Sequence, residues 1–512
     1  MKNILKYSFL VGALLMLQTS CDQDFDDINT SKTSATAIDP VFQLNNAVIN
    51  TSFPGASLVY ELGIVQQIIS PNSGVLTGAN YNQDNRASTQ ALWQGYYRNV
   101  IRNTRDVIDR TQEDAGRTNL YNMARILQAH AFMVLTDSYG DIPYMEGGTG
   151  YLTQELFPAY DAQQDIYPHI IQELTQASAA LDASGKTETA DILYGGDVEK
   201  WRRFGNSILL RAGMRLSKVD PAQAAQVANA AFQAGIITSN AENAVMRHDD
   251  NFANPVGNTL NSTEAANYYM TEPFVEYLKN NNDPRLASIA VRYVGATSGP
   301  EQVPASASFD PALQVGMPMG HDNATIIPVA ASKGLASFYE FTQVDRLRTA
   351  GRTAPAYFVT AAQTHLLLAE AVIRGWITTP ATAQEFYHNG IRAHMEQLAE
   401  YDPASAVAPA DVDAYIAAHP LAGDNDTAIE QINNEYWVAS FLNGPEAFAN
   451  FRRSGYPNLE PNPFPGKDIS GDFIRRLTYP NSEISVNTDN VNAAIARMGA
   501  DNLDTRVWWD VE

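Results

Sequence analysis

Residues 191–221 read DILYGGDVEKWRRFGNSILLRAGMRLSKVDP. After the loop Tyr194-Gly195-Gly196-Asp197 the segment becomes strongly periodic. Trp201, Phe204, Ile208, Ala212 and Leu216 follow one another at steps of three or four residues, which places them on one side of an α-helix. Asp197 stands where its carboxylate can accept from the first free amide groups, and Asp220-Pro221 can end this helix and begin the next. Arg202, Arg203, Arg211 and Arg215 ride on the same helix in an otherwise acidic chain. Two readings follow: some of these arginines pair with carboxylates of neighbouring helices, or they form a basic patch for a ligand.

The same period recurs outward from this helix. An apolar helical pattern covers Val41 to Ile69 and breaks at Phe53-Pro54-Gly55. Leu92, Tyr96, Val100 and Val107 predict a helix after the polar loop Pro71–Thr89. Ala124, Leu127, Ala131 and Val134 line one face of a helix from about Leu120 to Leu135. Ile166, Ile170, Leu174, Ala177 and Leu181 line another that starts near Asp161, and Pro221–Ala234 is a third. Further helices are expected at Ala356–Trp376, Pro380–Ala399 and Ala428–Phe441. Successive antiparallel helices of this length are the unit of tetratricopeptide-type stacks, although no 34-residue consensus repeats. The expected class is mostly α, with helix pairs as scaffold. From about 240 to 355 periodicity fades and Asn, Gly, Pro and Ser become frequent, as in Asn251-Phe252-Ala253-Asn254-Pro255. That is read as a loop-rich insertion with a few short strands, a kind of stretch that is usually functional.

The chain starts differently. Lys2 and Lys6, the apolar run Phe9 to Leu17 and the small pair Thr19-Ser20 precede Cys21, so residues 1–20 read as a secretory signal. The apolar run is too short to span a bilayer. Cys21 is the sole cysteine, which rules out an intrachain disulfide and makes it the expected lipid attachment point. A lipobox commonly has Leu three places before the cysteine; here Gln18 stands there, with Leu17 one further back. Ordinary cleavage leaving an inert thiol is the alternative. Residues 21–37, opening Asp22-Gln23-Asp24-Phe25-Asp26-Asp27, read as an acidic flexible tether. Such a coil reaches roughly 20–25 Å. Residues 38–512 are then a single α-helical domain.

The formal net charge is −23, and loss of Lys2 and Lys6 makes it more negative. Nucleic acid is excluded as a partner, because phosphate binding needs a basic face. No Gly-x-Ser-x-Gly elbow, His-Glu-x-x-His pair, phosphate loop or dinucleotide fingerprint occurs, so no cofactor or metal is implied. His365 and Glu370 are badly spaced for shared ligation from one helix face, and Gly147-Gly148-Thr149-Gly150 lacks the lysine of a phosphate loop. Asp137 and Asp141, set among Gly and Tyr, read as closing a turn rather than as an acid–base pair. With 57 acidic residues, a glycosidase-type carboxylate pair stays open.

Gly196-Asp197, Lys200-Trp201, Phe204, Asn206-Ser207, Leu210-Arg211, Met214-Arg215 and Ser217 together resemble the most recognisable block of the SusD/RagB family. LTDSYGDIPY at 135–144, YDAQQDIY at 160–167, NDPRL at 282–286, LLLAEAVIRGW at 366–376, NGPEAFANFRRSGYP at 443–457 and RRLTYPNSE at 475–483 follow in the family's order. Phe448 departs from it, standing where Trp is common. The resemblance implies a lipid-anchored outer-membrane protein on tetratricopeptide-like helix pairs, with the acidic stretch beside Cys21 marking export to the cell surface. It also implies a partner, a SusC-like TonB-dependent transporter barrel, and a role in binding nutrients rather than cleaving them.

A neutral glycan needs flat apolar faces with amide and charged groups around them, and loops on a rigid scaffold supply such sets. Two stretches offer one. The first is Asn80-Tyr81-Asn82-Gln83-Asp84-Asn85-Arg86 with Trp93 beyond; the second is Phe338-Tyr339-Glu340-Phe341 with Asp345 and Arg346. Tyr81, Asn82, Arg86, Tyr339 and Phe341 are the candidate ligand residues, against the alternative that Trp93, Phe338 and Phe341 belong to the core. Oligosaccharide is the first ligand class; oligopeptide binding, or a surface glycoside hydrolase, are the alternatives.

Overall fold

A computed structural model of the chain describes residues 38–72, 80–81, 86–262 and 265–512. The signal segment, Cys21, the tether and Asn82 lie outside the described residues. The N-terminal part is a succession of helices: α1 (Pro40–Asn50), α2 (Arg102–Thr111), α3 (Thr118–Tyr139), α4 (Gln163–Ala180), α5 (Val198–Arg215) and α6 (Pro221–Ala234). Each packs on the next, as the antiparallel pair pattern requires. The four periodic residues of α5 and Leu216, which caps its end, are fully buried. Asp197 Oδ1 accepts from the amides of Glu199 and Lys200 at 3.0 and 3.1 Å, and Asp220 caps α6 through the amide of Gln223. Gly205 allows the close approach of three helices: a Cβ there would lie 2.1 Å from Ser178 Oγ on α4 and 3.1 Å from Ile126 on α3.

The loop-rich middle holds helix α7 (Glu272–Asn280), unforeseen from its weak periodicity, and most of the short strands. β1 (Ile68–Ile69) pairs antiparallel with β3 (Tyr269–Met270), and β2 (Ala244–Met246) with β7 (Ala356–Val359). A three-stranded sheet has the order β5 (Ala307–Ser308), β4 (Ala290–Tyr293), β6 (Gln343–Val344). β7 corrects the expectation of a helix from Ala356. Tyr357, Phe358 and Val359 favour a pleated surface, and Thr360 with Gln363 forms a capping box that starts the helix one residue later.

That helix is α8 (Ala361–Ile373), followed by α9 (Ala383–Gln397), α10 (Pro409–Ala418), α11 (Asn425–Ala439), α12 (Gly444–Ser454) and α13 (Thr488–Met498). α8 packs on α9, α11 and α5, and α12 returns to α3. One continuous apolar core therefore runs from Val41 to Trp509, with the C-terminal Trp509 fully buried in it. Among the described residues no helix is long and apolar enough to cross a membrane.

Of the two readings of the α5 arginines, ion pairing is the one observed. Arg215 Nη2 reaches Glu446 Oε2 at 2.6 Å and its Nε reaches Asp137 Oδ2 at 3.1 Å, while Arg211 lies 3.2 Å from Glu446. Arg202 pairs with Glu199, and Arg203 with Glu242 at 3.4 Å. Asp137 consequently does not close a turn. Helix α3 continues through it to Tyr139, and the Asp137 carboxylate also accepts from Tyr167 and, at 2.9 Å, from Trp509 Nε1. Two further buried clusters tie the C-terminal helices: Arg453 with Glu370 at 2.7 Å, and Arg285 with Glu435 at 2.7 Å. Such pairs add little net stability, but losing one partner leaves an uncompensated charge in the core.

Candidate functional site

The two predicted stretches separate in three dimensions. Tyr81 is fully buried and its ring meets the edge of Phe473 at 5.9 Å; burial pushes its hydroxyl up to about 12. Asn80 is buried too and accepts from Asn462 Nδ2 at 2.7 Å. Arg86 is bound to the Asp501 carboxylate and donates to the Tyr479 carbonyl at 2.8 Å. Trp93 lies inside a cage of Tyr97, Tyr139, Tyr160 and Tyr479. These side chains are committed to the fold. The polar surroundings of Tyr81 in the sequence are not its surroundings in space, because Phe473 and Asn462 arrive from the far end of the chain.

The second stretch divides residue by residue. Phe341 is fully buried with Ile69, Tyr269, Met317 and Ile326, in a small core beneath the surface. Asp345 is buried and paired with Arg348. Phe338 and Tyr339 are half-buried. Their rings stack on each other with centroids 4.2 Å apart and planes at 28°, and the edge of Tyr269 supports Phe338 at 6.4 Å.

Local hydrogen bonds explain why this pair is held outward. Ser337 Oγ accepts from the Tyr339 amide at 3.0 Å and donates to the Ala296 carbonyl at 2.8 Å, which fixes the single 3₁₀ turn Phe338–Glu340. Glu340 points inward, accepting from Arg292 Nη2 and from the Ala336 amide, both at 2.6 Å. Burial alone would raise its pKa, but the Ala336 amide and the Arg292 guanidinium outweigh burial and hold the carboxyl below its usual range. With Glu340 and Phe341 turned in, Phe338 and Tyr339 are left as an aromatic platform.

Amides and one cation surround it. Gln302 Nε2 donates to the Tyr339 carbonyl at 2.8 Å, and its Oε1 is buried without a partner. Arg346 donates to the Gln302 carbonyl at 3.0 Å and to Tyr293 Oη at 3.1 Å, its guanidinium 5.1 Å from the Tyr293 ring. Gly299 brings its loop against Tyr339 and Ala266; a Cβ at Gly299 would fall 2.9 Å from that of Ala266. Next to Ala266, Asn267 Oδ1 accepts from Asn72 Nδ2 at 2.9 Å. The arrangement can stack a flat ring and offer amide and guanidinium hydrogen bonds around it. Among the described residues named here the one carboxylate, Glu340, is paired with Arg292 at 2.6 Å.

Asn72, Asn267 and Gln302 escaped the sequence reading. They come from three separate loops, and no local pattern marks an asparagine as the neighbour of another so far along the chain. Among the described residues no cluster of three or more His, Cys, Asp or Glu could hold a metal ion.

The helical scaffold is shared with known proteins. A family model described as SusD-like, starch-binding and associating with the outer membrane, matches residues 30–480. The chain belongs to the SusD-like family. Among solved structures, a chitin-binding protein is 31% identical with a TM-score of 0.81, the match covering 93% of this chain and all of the other. A SusD-like protein of Bacteroidetes AC2a is 27% identical with a TM-score of 0.79 over the same shares. A chitin-binding SusD homologue from Flavobacterium johnsoniae, at 24% identity and a TM-score of 0.75, covers 92% of this chain and 99% of its own and shares the fold. No curated protein sequence matches the chain significantly.

Proposed function

We propose that this protein is a nutrient-binding lipoprotein of the outer-membrane surface that holds an oligosaccharide on the Phe338–Tyr339 platform. It is anchored by lipid on Cys21 and passes its ligand to a SusC-like TonB-dependent barrel, without cleaving it. The observation that carries the reading is the outward stack of Phe338 on Tyr339 at 4.2 Å, with Gln302 and Arg346 beside it. A ring pair of this kind presents the flat apolar face that a pyranose needs, and the amides meet its hydroxyl groups. The chitin-binding relative at 31% identity supports a glycan over a peptide. Of the five residues picked from sequence, Tyr339 keeps its candidate role; Tyr81, Arg86 and Phe341 are assigned to the scaffold.

Calorimetric titration of the mature chain with chitooligosaccharides, maltooligosaccharides and a tripeptide panel tests this. Saccharide binding that weakens at least tenfold in Tyr339→Ala is expected, with no shortened product after long incubation. Binding confined to peptides, or release of shorter sugars, would overturn it. Labelled palmitate incorporated by the wild type and lost in Cys21→Ala, together with a co-purifying barrel, is the expected result for anchor and partner.

A further inference from the structure

A second cleft lies at the opposite end of α7 from the platform. Tyr269, which supports Phe338, precedes α7, whereas Asn280, Asn281 and Asn282 follow one another where it ends. Nine helical residues separate the two places by roughly 13 Å, at about 1.5 Å per residue. The asparagines face Asp411 and His419, at the two ends of α10, across a cleft of about 400 Å³, with Tyr415 below.

Some polar groups of this cleft have protein partners and, among the described residues, others have none. Among the described residues, the side-chain amides of Asn280 and Asn282 make no hydrogen bond; Asn281 donates through Nδ2 to the Tyr277 carbonyl at 2.8 Å, which leaves its Oδ1. The His419 ring stacks on Tyr415 at 4.0 Å and its Nδ1 is 2.7 Å from the Tyr415 carbonyl. A carbonyl only accepts, so Nδ1 carries the proton and Nε2 of the neutral ring is an acceptor. Tyr415 is itself pinned: its hydroxyl donates to Glu435 at 2.7 Å, and Glu435 also holds Arg285. The floor is therefore pre-organised by a buried cluster, so little ordering is lost when a ligand arrives.

The chemistry selects the ligand. Among the described residues that line the cleft there is no lysine or arginine, and Lys279 Nζ is turned to the Gln314 carbonyl at 3.0 Å, so an anion finds little charge to pair with. Asp411 is its one carboxylate, too little for a metal ion. What remains is a mixed set of amide donors, amide oxygens, one carboxylate and one imidazole acceptor beside the apolar Pro284, Ala414 and Ala418. Hydroxyl groups, each one donor and two acceptor positions, match such a set. We infer that the Asn280–His419 cleft is a second saccharide-binding site that takes one or two sugar rings. Two sites on one protein strengthen its hold on a polymer without any new contact at either.

The test uses the mature full-length chain carrying Phe338→Ala and Tyr339→Ala, so that the platform is silent. Saturation-transfer NMR and titration with chitobiose, maltose and xylobiose should still detect binding of at least one disaccharide. Adding Asn280→Ala and Asn282→Gly should weaken it at least tenfold while the thermal midpoint stays unchanged, because both residues are exposed and glycine keeps the left-handed backbone of Asn282, φ 51°. Absence of saccharide signals in the platform variant, unaltered binding in the asparagine variant, or preference for triglycine over every disaccharide would each overturn the inference. Failure of the platform variants to lose any affinity would instead count against the Phe338–Tyr339 reading and leave the cleft standing.

Discussion

Arg215 and Glu446, 231 residues apart in sequence, meet at 2.6 Å in the core and join α5 to α12. Arg215 is fully buried, and Glu446 and Asp137 are nearly so. Both carboxylates converge on the one guanidinium, which stays charged because they outweigh its burial.

Arg215→Met leaves Asp137 without its paired cation and Glu446 with Arg211 alone. A loss of about 3–5 kcal/mol in unfolding free energy is expected by urea denaturation. Arg215→Lys should recover only part of this, since a single ammonium cannot reproduce the two-sided fork.

Two buried groups give stability opposite pH dependences. Burial pushes the Glu61 carboxyl from its ordinary 4.5 up to about 7, so its contribution is whole below 4.5 and lost as pH rises through 7. Glu61→Gln should thus gain on the wild type between pH 4 and 8 in urea midpoints. Burial, with Arg211 nearby, holds His130 at about 3 against an ordinary 6.5, and among the described residues neither ring nitrogen has a partner. The unfolded chain takes up that proton first, so the His130 contribution is whole above 6.5 and lost as pH falls toward 3. His130→Phe should flatten the midpoint over that interval.

Asp197 caps α5 with two amide hydrogen bonds at an exposed helix start. Asp197→Ala should cost about 1 kcal/mol, within the range of about 0.5–2 for cap removal, and Asp197→Ser should restore most of it. Thermal melts of the three proteins read this directly.

Tyr81 and Tyr339 should separate stability from binding. Tyr81→Ala empties a buried ring site and is expected to cost about 3–5 kcal/mol. Tyr339→Ala, half-exposed, should cost about 1 kcal/mol or less and lower saccharide affinity at least tenfold. Equal loss of stability in both variants would place Tyr339 in the core.

Much of the scaffold is legible without coordinates. Trp201, Phe204, Ile208, Ala212 and Leu216 declare a helix face by spacing alone, and Asp197 and Asp220 mark helix starts, because period and caps are local properties of the backbone. The limit appears at Ala356–Val359, where apolar residues preceding a helix pair instead with Ala244–Met246, more than a hundred positions earlier. It appears again in Asp137, whose partners Arg215, Tyr167 and Trp509 come from three other parts of the chain.

The site depended on that second kind of information almost entirely. Composition and loop placement sufficed to select Tyr81 and Tyr339 as equals, each an aromatic among polar neighbours. Tertiary structure set them apart: Phe473 closes over the first, while Glu340 and Phe341 turn inward beside the second, whose ring packs only in part on Val291, Tyr293 and Ala296. Sequence by itself determined the helices and their buried faces, since those follow from a repeat of 3.6 residues. Which aromatic ring meets solvent was decided only by folding, because exposure depends on what distant segments bring against a side chain, and neighbours in sequence do not carry that information.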